Sequence, residues 1–181
     1  MINDVKEILL SEEEIKGIVK RIASQINEDY KDKNLLLLCI LKGSVCFMAD
    51  LMKEITLPCA FDFMVAKSYY AGTESGGEIK IYKDVDVDIS EYDVLIIEDI
   101  FDSGRTLNML VKELSKRNPR SLECCSLLDK PERRDPAISL KLKYTGKNVP
   151  DEFVVGYGLD YDEAYRNLPF VGILKQEVYD K

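Results

Sequence analysis

Hydrophobic positions along the chain recur with two different periods. Val94-Leu95-Ile96-Ile97 is an unbroken apolar run rich in β-branched residues, the pattern of a strand covered on both faces, and Leu35 to Ile40 is a second run of that kind. Ala60 to Val65 and Ile79 to Tyr82 read as further strands. Between the strands the period becomes helical. Ser11-Glu12-Glu13-Glu14 has capping-box spacing, and Ile15, Ile18, Val19, Ile22 and Ile26 follow on one face. A second helix is predicted from the turn Leu41-Lys42-Gly43-Ser44 to about Ile55. A third carries Leu107, Leu110, Val111 and Leu114, with Thr106 as its N-cap. This alternation predicts an α/β fold: a mostly parallel twisted sheet with helices on both faces. Ligands of such sheets bind outside the carboxyl ends of the strands. The last third is less regular and is expected to form a small C-terminal flap over the sheet.

Composition narrows the class. A chain of 181 residues, 46% hydrophobic and with no apolar run long enough to span a bilayer, is expected to form a single domain, 1–181, with a sizeable core and no membrane partner. Its opening Met1-Ile2-Asn3-Asp4-Val5-Lys6 lacks a charged-then-apolar leader pattern, so the expected compartment is the cytoplasm. The five cysteines (39, 46, 59, 124 and 125) make no Cys-x-x-Cys pair and read as reduced, core-filling thiols. The absence of histidine excludes Ser-His-Asp and Cys-His chemistry and every His-containing zinc site. A net charge of −8, from 33 acidic and 25 basic residues, argues against a nucleic-acid surface. Asp84-x-Asp86-x-Asp88 begins like a calcium loop, but Ile89 and Leu95 stand where its glycine and closing glutamate belong; it reads as a solvated turn.

The chemistry is concentrated where the Val94 strand ends. Glu98-Asp99 is followed by Asp102-Ser103-Gly104-Arg105-Thr106, a turn into a helix, whose backbone N–H groups and positive dipole end favour an anion such as a phosphate. Carboxylates aimed at that phosphate would repel it, so Glu98 and Asp99 suit donors and cations, namely ribose hydroxyls and Mg²⁺. The combination describes a ribose-5-phosphate site. No Gly-x-x-x-x-Gly-Lys loop occurs, and Gly156-Tyr157-Gly158 lacks the third glycine of a dinucleotide fingerprint. Lys42 and the N–H groups around Gly43 make a second anion site after the Leu35 strand, or else a plain turn with Ser44 as N-cap.

The acid-acid-x-x-Asp-Ser-Gly-x-Thr run resembles the phosphoribosyl pyrophosphate motif of the type I phosphoribosyltransferases, and Ile97 to Gly104 resembles their hypoxanthine-guanine branch. The resemblance extends from Leu36 to Leu174 and implies that family's fold. Residue by residue, it implies that Glu98 and Asp99 organise the ribose diol and Mg²⁺, that 102–106 holds the 5-phosphate, and that Asp102 is the catalytic acid-base group near purine N7. Leu41-Lys42-Gly43 is similar to the pyrophosphate loop, in which the Leu–Lys peptide is often cis, and Arg166 resembles the pyrophosphate-binding arginine. Phe153 looks like the aromatic that stacks on the purine, and the Val154 backbone like the group meeting the base edge. Asp160 is similar to the acid that helps hold a second Mg²⁺ near the base. The polar, glycine-bearing stretch 67–78 reads as an inert hairpin tip or a mobile lid; Ser68-Tyr69 matches the start of the family's catalytic loop, and the resemblance implies a lid that would exclude water from developing charge at C1′. Lys130 matches the lysine that donates to purine O6.

That lysine carries a specificity expectation. A fixed ammonium pairs with a 6-carbonyl but faces another donor when adenine binds, and an unpaired buried donor costs about 1–3 kcal/mol. The expected partners are phosphoribosyl pyrophosphate and a 6-oxopurine, with self-association as dimer or tetramer implied by the family. Two departures are local: Arg105 stands where relatives often carry an apolar residue or lysine, and Tyr144-Thr145-Gly146-Lys147-Asn148 is less apolar than usual. The alternative is a non-catalytic regulator sensing phosphoribosyl pyrophosphate, which would need a basic face or an added nucleic-acid-binding module.

Overall fold

The strand β5 (Asp93–Phe101) lies at the centre of the computed structural model, which describes residues 1–69 and 78–180. It is flanked by β2 (Leu35–Ile40) and β6 (Ser121–Asp129), both parallel to it. The sheet continues outward through β3 (Cys59–Tyr69) and β4 (Glu78–Lys83) on one side and β7 (Tyr144–Asn148) on the other, in the order β4-β3-β2-β5-β6-β7. All its pairings are parallel except β3 with β4. Strand order reverses between β2 and β5. The loops leaving those two strands therefore open onto one crevice, the switch point at which such sheets bind ligands.

Each face of the sheet buries its own set of side chains because successive strand residues point oppositely. Leu35, Leu37, Cys39, Leu95 and Ile97 pack with α1 (Glu12–Asp29) and α2 (Val45–Glu54). Leu36, Leu38, Val94 and Ile96 pack with α3 (Arg105–Ser115). The doubly covered strand and the helices on both faces are thus as the apolar runs predict. The α1 capping box is present, with Ser11 Oγ accepting from Glu14 N–H and Glu14 returning to the Ser11 N–H. All five cysteines are free; burial pushes the Cys39 thiol up to about 11 and the Cys124 thiol up to about 12, in keeping with inert core filling. Among the described residues no helix is long and apolar enough to cross a membrane.

Four details differ from the sequence reading. The flap is built from both ends of the chain: β1 (Val5–Leu10) pairs antiparallel with β9 (Val171–Leu174), which pairs with β8 (Val154–Val155). Thr106 is not the N-cap of α3; the cap is Gly104, whose left-handed φ of 81° turns the chain into the helix without a side-chain acceptor. β3 runs four residues beyond Val65, because β4 pairs with it as far as Tyr69. The Asp84-x-Asp86-x-Asp88 stretch is tied down rather than simply solvated. Arg117 grips both Asp84 oxygens at 2.8 Å, the Asp86 N–H donates to Asp62, and Asp88 accepts from the Ser90 N–H.

Candidate active site

The site begins with the two acids at the end of β5. Glu98 and Asp99 are half-buried at the strand end, and their carboxyl groups are both raised above the usual carboxylate range, first by desolvation; for Glu98 the neighbouring Asp99 charge adds to this. Asp99 Oδ1 accepts the Ile100 N–H at 2.6 Å. Its other oxygen closes on the neighbouring loop: a Cβ built on Gly43 would lie 1.5 Å from Asp99 Oδ2. Only a glycine lets the β2 loop approach the β5 acids so closely. Gly43 is in turn covered by the C-terminal segment, since a Cβ on Gly158 would lie 2.0 Å from the Gly43 carbonyl. The Leu41–Lys42 peptide is cis, as the resemblance implies.

Beyond Asp99 the chain turns through 102–106. Gly104 packs under Phe101, Arg134 and Ile138, and the Ser103 hydroxyl accepts the Arg105 N–H at 3.4 Å. An α-helix leaves its first N–H groups without intrahelical partners, so the start of α3, with Arg105 and Thr106 in its first turn, is suited to a phosphate. The segment after β6 braces this turn. Arg134 stacks on the Phe101 ring at 3.1 Å and binds Asp129 and the Phe101 carbonyl, while the Asp135 N–H donates to the Ser103 carbonyl. Asp135 also holds Arg105 Nε at 2.6 Å. Arg105 is thus anchored beside the turn. Asp102 Oδ1 lies 3.0 Å from Arg133 Nε, an ion-pair distance without hydrogen-bond geometry.

Lys130 follows β6 and is buried at 7% exposure. Its Nζ donates to the Glu152 carbonyl at 2.7 Å, which fixes the ammonium, and burial holds its pKa below the usual lysine value. Phe153 comes next in the chain. One of its faces is stacked by Tyr179 of α4 (Gln176–Tyr179), with centroids 5.1 Å apart and planes at 27°, and Tyr161 meets it edge-on at 5.6 Å. Val154 is buried in β8, paired with Ile173. Further along, Arg166 Nη1 donates to the Gly158 carbonyl and Nη2 lies 2.9 Å from Asp160 Oδ1. Lys42 and Arg166 are joined by Glu163, which accepts from Lys42 Nζ at 3.0 and 3.1 Å and from Arg166 Nη2 at 3.2 Å. The predicted lid begins on β3 with Ser68 and Tyr69, but 70–77 lies outside the described residues.

Comparison with known proteins matches the chain to one family. The sequence model of the phosphoribosyl transferase domain matches residues 5–162. A hypoxanthine-guanine phosphoribosyltransferase of Staphylococcus epidermidis is 55% identical over 181 residues, covering 100% of both chains. The chain belongs to the phosphoribosyltransferase family, in its hypoxanthine-guanine branch. Crystal structures agree in fold: a hypoxanthine phosphoribosyltransferase of Staphylococcus aureus superposes with a TM-score of 0.95 at 52% identity, covering 100% of this chain and 97% of that one. A point mutant of the Trypanosoma cruzi hypoxanthine phosphoribosyltransferase, in a ternary substrates complex, gives 0.91 at 37% identity, covering 98% of this chain and 99% of that one.

Family resemblance names the site residues, and contacts join part of the set: Asp99 to Gly43, Gly43 to Gly158, and Lys42 through Glu163 to Arg166 and Asp160, while Lys130 is held separately by the Glu152 carbonyl. For a divalent cation the fit is uneven. Two adjacent, desolvated carboxylates with raised pKa are a donor set that a hard cation would stabilise in ionised form. Asp160 is differently placed, because one oxygen pairs with Arg166 and the other accepts the Glu163 N–H at 2.9 Å. Among the described residues no group of three acids or cysteines converges on a single metal position. Glu98 and Asp99 fit the ion; Asp160 would first have to release a partner. Sequence reasoning missed Arg133, Arg134, Asp135, Glu163 and Tyr179. The Glu-Arg-Arg-Asp run at 132–135, so dense in charge directly after Lys130, was the available signal for the first three.

Proposed function

We propose that this chain is a purine-salvage glycosyltransferase that moves the 5-phosphoribosyl group from phosphoribosyl pyrophosphate to N9 of hypoxanthine or guanine, giving IMP or GMP and pyrophosphate. A single domain in the cytoplasm carries the reaction, and self-association to a dimer or tetramer belongs to the same reading. The observation that supports it best is the meeting of two anion loops, after β2 and after β5, at the strand-order reversal, with the buried Lys130 ammonium beside them.

In this reading the 102–106 turn anchors the 5-phosphate through backbone N–H groups, and Glu98 and Asp99 orient the ribose hydroxyls. Lys42, Gly43 and Arg166 bind the pyrophosphate and neutralise it as it leaves. Lys130 donates to purine O6, Phe153 offers the ring face opposite Tyr179 to the base, and the Val154 backbone meets the base edge. Asp102 holds or accepts the proton at N7 while N9 bonds to C1′. Glu98 and Asp99, joined by Asp160, would hold Mg²⁺, which supplies charge neutralisation for the diol and pyrophosphate. The loop beginning at Ser68-Tyr69 excludes water from C1′.

The test is pyrophosphate release, with direct detection of nucleotide, from Mg²⁺ and phosphoribosyl pyrophosphate plus hypoxanthine, guanine, xanthine, adenine, uracil or orotate. Product from 6-oxopurines alone is expected. Tight binding of phosphoribosyl pyrophosphate with no product from any base would overturn the reading in favour of a sensor.

A further inference from the structure

Glu163 takes no part in the transfer step, yet its carboxylate sits between the two cations assigned to pyrophosphate. Both of its oxygens accept from Lys42 Nζ, at 3.0 and 3.1 Å, and Oε2 also accepts from Arg166 Nη2 at 3.2 Å. This is how a phosphoryl oxygen pair would be held by the same two side chains. The carboxyl is held below its usual range, first by Lys42 and then by Arg166, so it is ionised at neutral pH. Among the described residues no other carboxylate is hydrogen-bonded to Lys42.

The backbone shows that the placement is specific. Asp162 and Glu163 both have left-handed φ, 50° and 60°, in a tight turn closed by the Ala164 N–H to Tyr161 carbonyl bond at 3.0 Å. Neither is glycine or asparagine, the residues that adopt this conformation most readily. The turn is further fixed by the Asp160 carboxylate, which accepts the Glu163 N–H. A turn that holds a glutamate in a left-handed conformation delivers its carboxylate to a cation from a different loop, 121 positions away. The contact itself is open, with the Lys42 and Glu163 side chains each 64% exposed, so an incoming anion can displace it.

We propose that Glu163 is an internal counter-anion of the pyrophosphate site: it occupies Lys42 and Arg166 in the free protein and yields them when pyrophosphate or the pyrophosphoryl end of the substrate binds. The proposal rests on the reading that Lys42 and Arg166 serve pyrophosphate. Its consequence is a weakened hold on the leaving group, because the released cations have a partner waiting and the carboxylate competes for them from within the fold. Glu163 is a positioning residue, acting through Lys42 and Arg166 and touching no reacting atom.

The sign of the effect separates this role from a purely structural one. The experiment measures the reverse reaction, with inorganic pyrophosphate and IMP in Mg²⁺ buffer, for the wild-type enzyme, Glu163→Gln and Glu163→Asp. Loss of the competitor in Glu163→Gln should lower KM for pyrophosphate about fivefold, the modest effect expected of an exposed ion pair, while KM for IMP stays unchanged. The difference should shrink as ionic strength rises, and Glu163→Asp, which keeps the charge, should return KM toward the wild-type value. A KM for pyrophosphate that is unchanged or raised in Glu163→Gln overturns the proposal while the transferase reading stands. Absence of the reverse reaction in the wild-type enzyme overturns the reading and this proposal with it.

Discussion

Gly43→Ala is the sharpest perturbation of the crevice, because the added methyl has one well-defined obstacle. Its Cβ would lie 1.5 Å from Asp99 Oδ2 and 2.6 Å from Asp99 Cγ, but 3.4 Å from Asp99 Cβ, which is ordinary contact. Gly43 itself is not among the glycines with positive φ, so its backbone accepts alanine without strain. The whole cost therefore falls on moving the Asp99 carboxylate. Overpacking a filled site costs about 1–3 kcal/mol. The displaced carboxylate also loses its 2.6 Å bond from the Ile100 N–H, and a hydrogen bond to a charged group is worth about 1.5–3 kcal/mol. A loss of about 3 kcal/mol is the central expectation, or about 6–12 °C in melting temperature for a chain of this size. In an Asp99→Ala background the obstacle is gone, and adding Gly43→Ala should cost nothing or even stabilise by about 0.4–1 kcal/mol. Urea unfolding of the four proteins measures the coupling, which should be about 3 kcal/mol and favourable in the double variant. If the two substitutions add independently, Gly43 is not the residue that lets the β2 loop reach the β5 acids.

Three further outcomes follow from the same geometry. Asp102→Asn should lower turnover by about 10²- to 10⁴-fold while phosphoribosyl pyrophosphate affinity, read by calorimetry, changes little; unchanged turnover would remove Asp102 as the acid-base group. Lys130→Gln keeps a donor for the Glu152 carbonyl but removes the charge proposed to meet O6, so kcat/KM for hypoxanthine should fall about 10- to 100-fold with adenine unaffected, and an unaltered base preference would refute that role. Asp62 is buried but accepts the Asp86 and Phe63 N–H groups and lies 3.3 Å from Lys83 Nζ; burial raises its carboxyl, the donors outweigh burial, and the net displacement is downward. A depressed folded pKa gives stability that is present above the unfolded value near 4 and lost as pH falls through the folded value, so Asp62→Asn should be less stable than wild type by about 1–3 kcal/mol in urea unfolding at pH 7, with the gap closing below about pH 4.

Much of the architecture was legible because it is written locally. Val94 to Ile97 must be covered on both faces, Ser11 and Glu14 cap each other three residues apart, and Lys42-Gly43 sits directly at a strand end. What escaped is non-local. β1 carries exposed Lys6 and Glu7 and only one fully buried residue, Leu10, so its sequence does not announce a strand; it becomes one because β9, with Val171 and Leu174, pairs with it from the far end of the chain. Thr106 satisfied the N-cap composition rule, but Gly104 turns the chain by backbone conformation alone, which a side-chain rule does not detect. Glu163 could not be read at all, because its left-handed turn has no glycine to mark it and its partner lies in another loop.

These contacts share a pattern that bears on how the site would work. Several of the charged groups proposed to meet substrate have an internal partner: Lys42 and Arg166 have Glu163, Arg105 has Asp135, Asp102 has Arg133, and Lys130 has the Glu152 carbonyl. Binding is then an exchange of partners and not the covering of bare charge, so each new contact contributes only the difference between ligand and stand-in. Exposure divides the stand-ins into two kinds. Glu163 is open to water and its release costs little, which suits cations proposed to bind and free pyrophosphate in every cycle. Lys130 is nearly enclosed, and losing the Glu152 carbonyl with no replacement acceptor would leave a buried donor unpaired, so that partner is the costlier one to give up. In the proposed role the ammonium would meet position 6 in an orientation set by that carbonyl. On the proposed assignments, a readily exchanged partner at the leaving group and an enclosed one at the base would separate turnover from base selection.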